Sequence, residues 1–224
     1  MEKQHRNVLV LSACQATLQT GGVTLILVTG LAGVALAPVA ALATIPLTCY
    51  VIGSALTTFP ASMLMKAVGR RNGFQAGTGI GFVGAGINAL AIYLSNFWLL
   101  CLGMMVMGSY TAFGKYYRFA AADATDASFR AKAISLTLAG GIVGGFVAPE
   151  MAKRTKDLFA DHMFLGSYLS LMCVCVVAAL VLTQLDIPQL SEKDRKDGGR
   201  PIREIMRQPV FIVSTAAAEP TNSM

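Results

Sequence analysis

The sequence predicts an all-α polytopic membrane protein of six spanning helices, and two observations carry the prediction. The first is where charge is missing. Only 13% of the residues are charged, about half the ~25% usual in soluble domains. Residues 7–65 and 72–114 contain no Asp, Glu, Lys or Arg, runs of 59 and 43 residues, and 133–149 and 163–185 add runs of 17 and 23. A helix needs about 20 apolar residues to cross a bilayer, so each long run holds two spans and each short run one. The second is where the basic residues lie. Fifteen of the 18 Lys and Arg fall in the N-terminal tail, the connections after spans two and four, and the segment after span six. Only Lys153, Arg154 and Lys156 lie on the other side. Basic loops stay in the cytoplasm, so both termini are expected there.

The elements follow in order. Residues 1–7, with Lys3 and Arg6, form a cytoplasmic tail, and span one covers 8–30. The apolar stretch LAGVALAP leads to span two, 40–65. A basic turn with Lys66, Arg70 and Arg71 precedes span three, 74–94, and only Ser95 and Asn96 separate it from span four, 97–117. A connection with Lys115, Arg118, Arg130 and Lys132 leads to span five, 133–151, and span six is 164–185. Open strands are excluded because lipid cannot satisfy their backbone groups, and the dyad alternation of a membrane barrel is absent. The net charge of +6 is explained by topology, so nucleic acid is not an expected partner. The five cysteines all fall inside spans and read as packed thiols. Cys173 and Cys175 point apart on a helix, so no metal site is expected. The LSAC box at 11–14 has too short an apolar lead for a cleaved signal.

Gly79-x-Gly81-x-x-Gly84 has the spacing of a dinucleotide loop. Such a loop needs a preceding strand and an acid about 20 residues on, and neither is present. Gly73, Gly77, Gly81, Ala85 and Ala89 instead form one small-residue ridge on span three, a surface that lets helices approach closely. Span five carries two such ridges, Gly140–Gly144–Ala148–Ala152 and Gly141–Gly145, running up to Pro149. Two adjacent ridges imply that a neighbouring helix crosses very closely, either as plain packing or as part of a closable pathway.

Polar residues within spans are costly and mark pathways or interhelical bonds. Ser12, Gln15 and Gln19 share one face of span one, which points to a polar cavity or to an interhelical hydrogen bond. Tyr110, between Ser109 and Thr111 on span four, is a further cavity candidate, and Asn88 reads as an interhelical bond. No acid lies in mid-span. Glu150, at the outer end of span five, is the nearest candidate for ion coupling, against the plainer reading of an interfacial helix end. His5 and His162 fall on opposite sides and no nucleophile–base pair shares a span, so neither an enzyme nor a cofactor is expected.

The stretches SMLMKAVGRRNGF and YYRFAAADATDASFRAKAISLTLAGGIVGGFVAPEMA resemble the N-terminal half of a bacterial major facilitator superfamily transporter. Gly69, Arg70 and Arg71 match the end of the family's 2–3 loop motif, with Ser62 and Lys66 where its first Gly and Asp belong. Arg118, Asp123 and Arg130 stand where the family places charges linking helices four and five. Gly144, Ala148 and Pro149 resemble the family's span-five motif. The resemblance implies one six-helix bundle of two inverted three-helix repeats, with spans one, two, four and five lining a central cavity. It also implies that 186–209 is the central cytoplasmic linker and that 210–224 is the start of a seventh helix with a polar tail. Residues 209–218 would reach only about 15 Å, so the chain reads as cut off there. The function implied is alternating-access transport of a small organic solute across the bacterial inner membrane. The partners implied are the lipid bilayer, the solute and a missing C-terminal half or another copy, and the half alone is expected to be inactive. The alternative is a six-helix module acting as a homodimer or a non-transporting subunit.

Overall fold

The computed structural model describes residues 2–186, so the expected linker beyond Asp186 and the expected seventh helix lie outside the described residues. The described chain is helical: α1 Glu2–Leu36, α2 Ile45–Val68, α3 Arg70–Tyr93, α4 Phe97–Gly114, α5 Tyr117–Asp123, α6 Arg130–Thr155 and α7 Leu165–Leu182, with one 3-10 turn at Ala40–Leu42. Among the described residues six segments are long and apolar enough to cross a membrane, α4 and α5 counting as one across the turn at Lys115 and Tyr116.

Local chemistry sets the ends. Gly69 closes α2 and opens α3 with φ 88° and ψ 157°, backbone that side-chain-bearing residues avoid, so the basic turn needs glycine there. Pro46 sits in the first turn of α2, where a missing N–H costs nothing. The Asn96 side chain caps α4 by accepting from the Leu99 N–H at 3.0 Å. Two ends differ from the sequence expectation. The tail at 1–7 is the first turns of α1: Asn7 exchanges two hydrogen bonds with the backbone of Asp186 at 2.7 and 3.1 Å, and Gln4 donates to Asp126 at 2.8 Å. Those partners continue the helix past the apolar boundary. Likewise α6 runs through Pro149 to Thr155, because proline removes a single backbone donor and neighbouring contacts can carry the helix past it.

Two pairs of parallel helices build the bundle. In the α1–α6 pair, Ser12, Thr20 and Thr24 donate to the carbonyls of Leu136, Gly144 and Ala148, each 124 residues on. In the α2–α4 pair, Thr57 donates to Ser109, 52 residues on, and Gly53 faces Met105 at the same offset. A constant offset means parallel helices in fixed register. Exchanging the first three spans with the last three maps the main pairings onto one another: α1–α6 becomes α4–α2, α3–α4 becomes α7–α1, and α3–α7 maps onto itself. Because α1 and α4 run in opposite directions, this is an inverted repeat. The core between α1, α3, α4 and α7 holds Leu11, Leu25, Phe74, Leu100, Met104, Tyr168 and Leu171, all buried.

The glycine ridges are used selectively. A side chain on Gly140 would strike the Ser12 carbonyl, and one on Gly144 the Ala16 carbonyl. Gly145 has nothing within 4 Å and Gly141 meets Gln15 only at ordinary distance, 3.5 Å. The close crossing on span five is therefore made by α1 on the Gly140–Gly144 ridge, and the Gly141–Gly145 ridge stands beside it. On α3 the ridge receives side chains rather than a backbone: Gly77 faces the Phe113 ring and Gly81 the Tyr110 ring.

Candidate functional site

A cavity of about 380 Å³ opens between α1, α2, α4, α5 and α6. α1 contributes Gln15, Gln19 and Gly22, α2 contributes Tyr50, and α6 contributes Leu138. Thr111 lies on α4, Lys115 on the following turn and Arg118 on α5. Among the described residues no Asp or Glu lines it, and none of α3 or α7 reaches it.

Gln15 and Gln19 line the cavity, and their amides make no hydrogen bond among the described residues. Opposite them the Tyr50 hydroxyl and Thr111 Oγ1 are 2.9 Å apart. Lys115 Nζ donates to Ser54 Oγ at 2.9 Å. The Arg118 guanidinium lies 4.8 Å from the Phe119 ring centroid, within cation–π range. The wall therefore offers amides, hydroxyls and two cations over an apolar floor of Leu18, Val23 and Ile26. It can bind a solute that is apolar on one face and accepts hydrogen bonds on its edge.

Other sequence candidates fall elsewhere. Ser12 bonds the Leu136 carbonyl at 3.0 Å and serves the α1–α6 seam. Tyr110 is corrected: it is 3% exposed, packs on Gly81 and leaves its hydroxyl without a partner, while its neighbour Thr111 faces the cavity. The physical reason is the ~100° turn per residue, which puts adjacent positions on different faces. Glu150 pairs with Arg154 one turn on at 2.6 Å, and both are exposed away from the cavity. Asp123 pairs with Arg70 at the start of α3 rather than linking the helices on either side of its own loop. Arg71 and Arg130 are exposed.

Sequence reasoning missed Tyr50, Ser54 and Lys115. Tyr50 stands one helical turn before Ser54 on α2, a weak polar signal. Lys115 was counted with the interfacial charges because it ends a span, and only packing reveals its inward turn. Among the described residues no group of three His, Cys, Asp or Glu is placed to hold a metal ion.

Fold and cavity together define a class: a six-span membrane bundle of two inverted three-helix repeats with a polar-walled cavity between α1, α2, α4, α5 and α6. No protein-family model matches the chain. It is 37% identical over 214 residues to the riboflavin transporter RfnT of Brucella anthropi, covering 95% of this chain and 54% of that protein. It is 29% identical over 117 residues to the MFS-type transporter YdeG of Bacillus subtilis, covering 52% of this chain and 27% of that one. In structure it matches the E. coli fucose:proton symporter FucP with a TM-score of 0.65 at 14% identity, covering 94% of this chain and 55% of the symporter. The chain is thus similar to proteins named as transporters, one of them of the MFS type, and its all-helical bundle shares the fold of the symporter. It spans about half the length of RfnT. These relatives are carriers, not enzymes.

Proposed function

We propose that the chain is the N-terminal half of a secondary transporter that moves a small organic solute by alternating access, with the α1–α2–α4–α6 cavity as its share of the solute site. The observation that carries this reading is the pair of unbonded amides, Gln15 and Gln19, on the wall of a cavity between spanning helices. Such groups are expensive in lipid unless water or a ligand satisfies them. The relative named as a riboflavin transporter makes riboflavin the first solute to test. The basic end of the bundle faces the cytoplasm, and the membrane is the bacterial inner membrane. At that end Arg70 and Asp123 tie α3 to α5, with Gly69 setting the turn, and Arg71, Arg118 and Arg130 hold it inside. The Gly140–Gly144 seam against α1 and the turn of α6 at Pro149 move as one body.

The half alone does not transport. α2 and α6 leave large apolar side chains uncovered, Val51, Leu56 and Phe59 on one and Ile142, Val143 and Phe146 on the other, and a second half covers them. The test is riboflavin uptake by proteoliposomes holding this chain alone and by cells carrying it with a C-terminal half. Uptake only with both halves supports the reading. Saturable uptake by the chain alone, with a cross-linked dimer, favours the homodimer instead.

A further inference from the structure

Lys115 does something unusual for its position. It lies just past the end of α4, where a lysine ordinarily snorkels out to the interface. Its ammonium instead turns back into the bundle and donates to the buried hydroxyl of Ser54. The depth of that hydroxyl follows from packing. A side chain on Gly108 would come within 2.8 Å of the Ser54 backbone nitrogen, so Ser54 is level with Gly108. Gly108 lies seven residues before Lys115, about 10 Å up the helix axis. The ammonium is thus drawn towards mid-span with one neutral hydroxyl as its partner. Among the described residues neither Lys115 nor Arg118 is in an ion pair, and the cavity they line holds no carboxylate. An ammonium has three donors, and Ser54 takes one, so two remain for a molecule in the cavity that Lys115 lines.

We propose that Lys115 is the solute-recognition residue of the cavity, its ammonium donating to acceptor oxygens on the edge of the transported molecule. This rests on the cavity being the solute site. Tyr50 and Thr111 stand beside it, and Gln15 and Gln19 face the remaining polar groups. The acceptor oxygens belong either to ring carbonyls or to an anionic group, and two probes with the same ring separate these sources: riboflavin, which is uncharged, and riboflavin 5′-phosphate.

The experiment is quenching of flavin fluorescence by the 224-residue chain in lipid nanodiscs, comparing wild type with Lys115→Met and Lys115→Arg. The expected result is that Lys115→Met loses at least tenfold in affinity while Lys115→Arg stays within about threefold. An equal loss for both flavins assigns the contact to ring carbonyls, and a loss for the phosphate alone assigns it to the anion. If Lys115→Met also lowers the melting temperature, recovery of binding by Lys115→Arg still supports the proposal, and no recovery overturns it. Unchanged affinity in Lys115→Met overturns the proposal and leaves the cavity reading intact. Absence of flavin binding by wild type overturns the cavity reading and the proposal with it.

Discussion

The two parallel seams, α1–α6 and α2–α4, are related by the inverted repeat yet are bonded differently. Both bring backbones together at glycine: Gly140 and Gly144 on α6, Gly53 on α2 and Gly108 on α4. Along α1–α6, hydroxyls donate to backbone carbonyls of Leu136, Gly144 and Ala148. Along α2–α4, side chains bond mainly to side chains: Tyr50 with Thr111, Thr57 with Ser109, Lys115 with Ser54. A carbonyl is fixed in the helix and gives its partner no alternative. A hydroxyl or an ammonium can rotate to a new partner. The first seam is therefore a fixed joint, and the second keeps polar groups that a solute can recruit.

The largest effect should come from filling a glycine in either seam. Gly144→Leu would drive its side chain into the Ala16 carbonyl and the Thr20 nitrogen, and Gly108→Leu into the Tyr50 carbonyl and the Ser54 nitrogen. Backbone cannot yield as a side chain tip can, so each change should cost about 3 kcal/mol or more. Thermal melting in detergent should show loss of the folded monomer, and a wild-type melting curve would remove the close approach. Next comes Thr24→Val, which deletes a buried bond to a fixed carbonyl and should cost about 1 kcal/mol. Thr57→Val should cost less, because Ser109 also bonds the Met105 carbonyl at 3.3 Å. Equal losses in the two threonine variants would erase the contrast between the seams. Smallest is Gly145→Ala. With open space around Gly145, the change should leave melting unchanged or raise it by up to about 1 kcal/mol through helix propensity, although Gly145 neighbours Gly144.

How much of this was legible in the sequence depends on the kind of information each feature needs. Spans were legible because lipid imposes length and apolarity on each one separately. The helical tail before Asn7 was not, because its support comes from Asp186 and Asp126, distant in sequence. Small-residue ridges were legible as ridges. Which ridge is occupied depends on helix rotation, so Gly145 and Gly144 look alike until α1 is placed. The same ambiguity exchanged Tyr110 for Thr111 on α4. Gln15 and Gln19 were legible as a polar face because amides on a membrane helix need water, a ligand or an interhelical bond, and which of these they meet depends on how the helices pack. Lys115 was hidden by its position, since a lysine ending a span normally serves topology.

The claim beneath the rest is that six helices thread the bilayer with the α2–α3 and α5–α6 connections inside the cell. Its most direct measurement is cysteine accessibility in a variant whose five native cysteines are replaced by alanine. Asp161→Cys, between α6 and α7, should react with a membrane-impermeant maleimide on intact cells, and Ser128→Cys, before α6, should react only after permeabilisation. Labelling of Ser128→Cys from outside, with Asp161→Cys protected, would contradict the account.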